Sequence, residues 1–190
     1  MSSDLETRTV NGVAVPPAGT YEFDKNHTTV GFVARHMLSK VRGHFTSFDG
    51  SVVVADPIEG STVRVEIDAT SITTDNEQRD GHLRSGDFLE VEENPALTFV
   101  STGFRATERS AFELDGDLTI KGITRPVTLN GEFLGWGPGV QGGTLAAFSA
   151  HTTIDREDWD LTWNVAVETG GLLVGKKVDI VIDAELTLQD

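Results

Sequence analysis

The chain has 190 residues, a length that suits one ordinary domain with a sizeable core. Its 30 Asp and Glu against 15 Lys and Arg give a formal charge of −15, which repels phosphate backbones, and no basic stripe with interleaved aromatics offsets this, so nucleic acid is excluded as an expected partner. Cysteine is absent, which removes disulfides, thiolate nucleophiles and zinc–thiolate sites, and no apolar run approaches the roughly 18 residues that a membrane span requires.

Residues 1–18, with Pro16 and Pro17, read as an extension, leaving 19–190 as the folded domain. The first residues lack the positive and apolar regions of a secretory signal, an expectation of a cytoplasmic protein. Alternation of apolar and polar residues then predicts strands over 20–24, 28–36 and 41–55. It is clearest in "TVRVEIDAT", where Val63, Val65, Ile67 and Ala69 share one face while Arg64, Glu66 and Asp68 take the other.

Residues 74–86 are the single helical segment: Thr74 as N-cap with Glu77 three residues on makes a capping box, and Gly86 marks the end. Strands resume over 96–104, over "AFELDGDLTI" with Phe112, Leu114, Leu118 and Ile120 inward, and over 125–134 and 144–155. The last is "KVDIVIDAELTL", whose Val178, Ile180, Ile182, Ala184, Leu186 and Leu188 face one way. Turn signals separate them at "DPIEGS", "KGITRP" and "GWGPGVQGG". About nine strands with hairpin-scale connections and no βαβ rhythm predict an all-β, antiparallel sandwich or closed barrel.

An eight-stranded barrel is either filled by its own side chains or just wide enough for one small ligand. The inward faces mix large residues (Phe32, Phe112, Phe133) with small ones (Ala34, Gly116, Gly131, Ala147), which leaves room inside. Strands of about ten residues tilted some 40° would give a barrel roughly 25 Å tall. Ten methylenes buried in such a space, at about 0.8 kcal/mol each, give on the order of 8 kcal/mol before association costs, enough for about micromolar binding without a polar anchor. A packed core produces the same alternation, because periodicity reports burial and not emptiness.

Three of the five histidines, His27, His36 and His44, fall in "HTTVGFVARHMLSKVRGHFTSFDG". No His-x-His or His-Glu-x-x-His signature accompanies them, so no metal ligands are assigned. His27 follows "DKN" at a turn, in reach of Asp24. No catalytic residues are assigned either: Ser85, Ser101 and Ser149 lack a nucleophile-elbow motif. The tryptophans Trp136, Trp159 and Trp163 sit near turns or strand ends, where such rings close a barrel end or pack under a loop.

Five motifs occur in order: "YEFDKNHTTVGFVARHM", "VRGHFTSFDGSVVV", "QRDGHLRSGDFLEVEENPALTFVST", "LDGDLTIKGITRPVTL" and "HTTIDREDWDL". Together, over roughly residues 19–188, they resemble the YceI family of polyisoprenoid-binding, lipocalin-like barrel proteins. The resemblance implies an eight-stranded antiparallel barrel with one short helical segment, enclosing a tunnel for an isoprenoid quinone, polyprenyl lipid or similar amphiphile. It implies a carrier and not an enzyme, with a bound long-chain lipid and no other cofactor, and it leaves open whether two barrels pair. Family members are often exported to the periplasm. The sequence departs from the family at Thr28, usually Ser after the His, and at Asp160, where Gly is common.

The residues expected to line the tunnel are Val30, Phe32, Val65, Ile67, Phe99, Phe112, Leu114, Leu118, Leu129, Phe133, Phe148, Ile180 and Ile182. His36 shares the parity of Val30, Phe32 and Ala34 and is expected at a barrel mouth, where it could meet a quinone or phosphate head. Arg79 and Arg84 could serve an anionic head, although a charge-rich helix is more often a solvated face. Two alternatives stand beside the carrier: a metal-dependent, cupin-like barrel enzyme using clustered histidines, and a ligand-free structural or interaction barrel.

Overall fold

The period-two alternation becomes antiparallel pairing along nearly the whole chain in a computed structural model that describes residues 7–168 and 170–190. The strands are β1 (Arg8–Val10), β2 (Val13–Val15), β3 (Gly19–Phe23), β4 (Thr29–His36), β5 (Ser39–Phe45), β6 (Phe48–Val54), β7 (Thr62–Asp68) and β8 (Ile72–Thr73). After helix α1 (Glu77–Arg84) come β9 (Ala96–Ala106), β10 (Ala111–Ile120), β11 (Ile123–Pro138), β12 (Thr144–Asp155) and β13 (Val174–Leu188).

Hydrogen bonding runs β12-β11-β10-β9-β7-β6-β3-β13, and β12 pairs with β13 to close an eight-stranded antiparallel barrel. β13 serves two neighbours on its other side: Leu186–Leu188 pair with β3, and Val174–Asp183 pair with β4. β4, β5 and β8 therefore continue β3, β6 and β7 past a bend. The sequence reading of one strand over 41–55 merges β5 and β6, because apolar parity resumes beyond the bend at Thr46 and Ser47. At the matching bend between β3 and β4, the Thr28 hydroxyl donates to the Glu185 carbonyl (3.1 Å) and accepts from the Glu185 amide (3.2 Å). A side chain thus replaces the ladder bonds that the change of register removes.

The helix begins two residues later than its sequence signal. Asn76 is the N-cap, its side chain accepting from the Arg79 amide at 2.9 Å. Thr74, the expected cap, instead directs its amide and hydroxyl to Asp80 Oδ1 at 2.8 and 2.5 Å. Asp80 is a buried acceptor that competes for the same hydroxyl, and nothing in a local capping pattern reports it.

The main buried cluster gathers Phe48, Ile67, Leu97, Phe99, Leu114, Leu118, Leu129 and Ile154 from the inward faces, with Trp159 beneath one end. Trp159 is almost fully buried and donates its indole N–H to the Leu118 carbonyl at 3.0 Å. It closes the three-ten turn Arg156–Trp159, after which Asp160 takes the left-handed region, φ +58°. Asp is among the few residues besides Gly that tolerate this region, so the turn forms without the family's glycine. A second cluster around Tyr21, Val54, Ala146 and Leu186 occupies the opposite end.

Within the segment expected as an extension, β1 and β2 form a hairpin at that second end. Arg8 holds it there, donating to the Ala55 and Pro16 carbonyls at 3.0 Å each and lying 3.3 Å from the Asp56 carboxylate. Asn11 adds a bond to the Thr107 carbonyl at 3.1 Å.

Candidate functional site

The barrel interior is not filled. A cavity of about 740 Å³ runs from Val10, Val13 and Val15 of the hairpin, through the barrel, to Asn76, Gln78, Arg79 and His82 of the helical segment. That volume lies within the usual range of small-molecule sites. All fourteen residues singled out from the sequence border it: Val30, Phe32, His36, Val65, Ile67, Phe99, Phe112, Leu114, Leu118, Leu129, Phe133, Phe148, Ile180 and Ile182. The pleat explains why, since once a barrel closes, every second residue of each strand must face inward.

Of the small residues expected inward, Ala147 faces outward, because its neighbours Ala146 and Phe148 take the inner side of β12, and the glycines act differently from the expectation that they simply leave space. A methyl group built on Gly131 would overlap the Phe112 ring, one on Gly116 would overlap Phe99, and one on Gly43 would overlap Phe32. The rings therefore lie against the barrel wall over bare backbone, and the open volume is the lumen that they vacate. Phe104, Phe112, Phe148 and Phe133 continue as a chain of contacts, with centroids 5.3, 6.1 and 5.2 Å apart.

Among the described residues, polar groups border the cavity only near its ends. At the hairpin end these are Ser61, Arg109 and Ser110; at the helix end they are Arg35, His36, Asn76, Gln78, Arg79, His82 and Arg156. Arg79 donates Nε to the Thr74 hydroxyl (2.7 Å) and Nη2 to the Thr74 carbonyl (2.9 Å), leaving Nη1 unused among the described residues. Arg84 binds the Thr70 and Ile72 carbonyls at 2.8 and 3.0 Å and does not border the cavity. His82 meets Asp87 at 2.8 Å and packs at near right angles to Trp163 and Phe88, at 4.5 and 5.1 Å between centroids.

Sequence reasoning missed Arg156, which lies inside a quoted motif but looks like one more surface charge. It is only 3% exposed, and its guanidinium donates to the carbonyls of Gly175 (2.9 Å), Trp163 (3.0 Å), Val174 (3.4 Å) and Leu161. Carbonyls from two separate segments satisfy the buried cation, and this clamps residues 161–163 to the start of β13 at the cavity's edge. Burial lowers its pKa, with the charges of Glu157 and Asp155 opposing that shift.

The histidines do not converge. Among the described residues, the one group of His, Asp or Glu ligand atoms close enough for a shared ion is Asp24, His27 and Glu185, with a single imidazole. His27 Nδ1 is 2.8 Å from Asp24 Oδ2 and 3.8 Å from Glu185 Oε1. This contact holds the Asp24 carboxyl below its usual range and raises the His27 pKa. His36 is the last residue of β4 and faces the cavity near Leu173 and Val174. Among the described residues no helix is long and apolar enough to cross a membrane.

Comparison with known proteins agrees with this architecture. A UPF0312 protein of Staphylococcus aureus (strain MSSA476) is 37% identical over 174 residues, spanning 90% of this chain and 98% of its own. One from Ectopseudomonas mendocina is 38% identical over 150 residues, 76% of this chain and 78% of its own. Among solved structures, Burkholderia cenocepacia BcnA superposes with a TM-score of 0.73 at 20% identity, covering 86% of this chain and 98% of that one. A Saccharophagus degradans domain described as polyisoprenoid-binding superposes with a TM-score of 0.64 at 15% identity, covering 89% and 98%. The YceI-like domain model matches residues 21–186, and this chain belongs to the YceI-like family.

Proposed function

We propose that the protein is a non-catalytic carrier that holds one long isoprenoid tail in the barrel lumen, with the polar head at the helix end. The observation that carries this reading is the cavity itself, about 740 Å³ and bordered by apolar side chains along the barrel, with polar groups, among the described residues, only near its ends. A flexible hydrocarbon gains from burial in such a space without any directional contact. The helix end suits the head because it brings together Arg79 Nη1, His36, Asn76 and Gln78, whereas the hairpin end offers two hydroxyls and Arg109. The polyisoprenoid-binding description of the Saccharophagus degradans domain supports the ligand class. Sequestration or shuttling asks for no bond to be made or broken.

The test is native mass spectrometry of protein purified from its host, followed by titration with a long-chain isoprenoid quinone. Ala150 borders the lumen, and Ala150→Trp would obstruct it. We expect a retained or titratable lipid in the unaltered chain and at least about a tenfold loss of affinity in the variant with its β-sheet circular dichroism intact. Unchanged affinity in Ala150→Trp, or no isoprenoid binding by the unaltered chain, would refute the carrier reading.

A further inference from the structure

Two hairpin tips at the helix end carry apolar side chains that the fold itself does not use. Leu38 is 96% exposed and Met37 50% exposed in the turn between β4 and β5. Met37 has φ +52°, a conformation that favours Gly or Asn and costs a methionine energy, so local stability does not explain the choice. Beside it, residues 165–168 and 170–173 form a second hairpin, bridged at Ala166 and Leu172, which exposes Val165 and Leu172. The Met37 amide donates to the Leu173 carbonyl at 2.8 Å, so the first tip sits against the base of the second hairpin, where Val165 and Leu172 lie. Directly behind them, His36, Trp163, Leu173 and Val174 border the cavity.

The charges nearby run against the rest of the molecule. Arg35, Lys40, Lys176 and Lys177 gather beside these turns, and Arg42 stands two residues beyond Lys40 on β5. Arg35 stands directly across from Lys40 on the outer face, and like charges at opposed positions repel. Both share an outer depression with Lys176 and Lys177. Lys176 pairs with Glu157 and Lys177 with Asp155. Asp155 and Asp179 share the depression and Glu168 lies on the second hairpin, so the cations here without a carboxylate partner among the described residues are Arg35, Lys40 and Arg42. Screening over about 8 Å means that a surface in contact feels this corner and not the total of −15. At the other end of the barrel, exposed Val140 stands in the turn 139–143, which has no Lys or Arg.

We propose that the Met37–Leu38 and Val165–Leu172 tips dock on an anionic lipid bilayer, the apolar side chains entering the headgroup boundary while Arg35, Lys40 and Arg42 meet lipid phosphates. Resting on the carrier reading, this deepens it: the cavity then opens against the membrane, and a tail passes between bilayer and lumen without crossing water.

The test is flotation of the full chain with phosphatidylcholine vesicles containing or lacking phosphatidylglycerol, together with transfer of an isoprenoid quinone from those vesicles and, separately, from detergent. We expect binding that needs phosphatidylglycerol and falls with added salt, and a decrease of about fivefold or more in each of Leu38→Glu and Lys40→Glu. Transfer from vesicles should slow in step, while loading from detergent stays unchanged. Flotation indifferent to both variants overturns the proposal, as does sedimentation showing that Leu38→Glu only dissolves a dimer of this chain that never binds vesicles. Failure of loading from both donors would sink the carrier reading instead, while the flotation result still decides the docking.

Discussion

The Phe112 ring covers Gly131, its cross-strand partner on β11, so closely that any side chain at 131 would have to displace the ring. The displaced ring can go only toward the lumen. Gly131→Ala should therefore narrow the cavity as well as strain the wall, costing about 1–3 kcal/mol in denaturant unfolding. Long isoprenoid tails should lose more affinity than short ones. Equal loss for all lengths would show that the ring moves elsewhere.

Asp80 pins the start of α1 to the strand before it. Burial pushes its pKa up, but the Thr74 hydroxyl and amide, Thr73 and the charge of Arg84 outweigh this and hold the carboxyl below its ordinary range. A depressed carboxyl stabilises the fold above its unfolded pKa of about 3.9 and loses that contribution as pH falls through the folded value. Asp80→Ala, which strands two donors, should cost about 2 kcal/mol at neutral pH. Asp80→Asn keeps an acceptor, so it should cost less and flatten the acid limb of a stability–pH curve.

Arg156 can be tested for its fork geometry. A lysine reaches one or two carbonyls where the guanidinium reaches four, so Arg156→Lys should lose about 2–4 kcal/mol despite keeping the charge. Hydrogen exchange should show the loss concentrated in residues 161–164 and the first residues of β13. Exchange rising evenly over the barrel would argue against a local clamp.

The exposed His27–Asp24 pair sets a window rather than a large energy. Hydrogen bonding to Asp24, with the charges of Asp24 and Glu185, raises His27, so its contribution is full below the ordinary imidazole pKa and fades as pH rises through the raised one. The lowered Asp24 contributes above the usual carboxylate pKa and fades as pH falls through its own depressed value. Titration followed by NMR should find His27 protonated at higher pH than a free imidazole, and Asp24→Asn should bring it back toward normal.

The β1–β2 hairpin contributes Val10, Val13 and Val15 to the cavity but no strand to the barrel. Removing residues 1–15 should leave the barrel folded, because β3 begins at Gly19 and its Tyr21 hydroxyl still reaches the Pro17 carbonyl at 2.9 Å. Bound ligand should then dissociate faster, by about tenfold if those three valines cover the tail. An unchanged dissociation rate would assign the hairpin a purely structural role.

Much of this molecule is a period-two object, and that part is readable one residue at a time. Val63, Val65 and Ile67 face inward because their neighbours are Arg64, Glu66 and Asp68. The same logic placed fourteen named residues on one continuous wall. The capping position failed because Thr74 answers to Asp80 through space and not to its local pattern. Arg156, the rings over Gly43, Gly116 and Gly131, and the hairpin over the far end were illegible for the same reason.

Alternation and turn residues were enough to determine most strands, the facing of most of their residues and the antiparallel class, since these follow from backbone pleat and burial of adjacent residues. Whether the enclosed space is occupied or open was left to the tertiary structure. That depends on where each phenyl ring turns relative to a glycine on another strand, and on which end gathers the charges. Both are relations between residues far apart in the chain, set only when β12 and β13 close the ring.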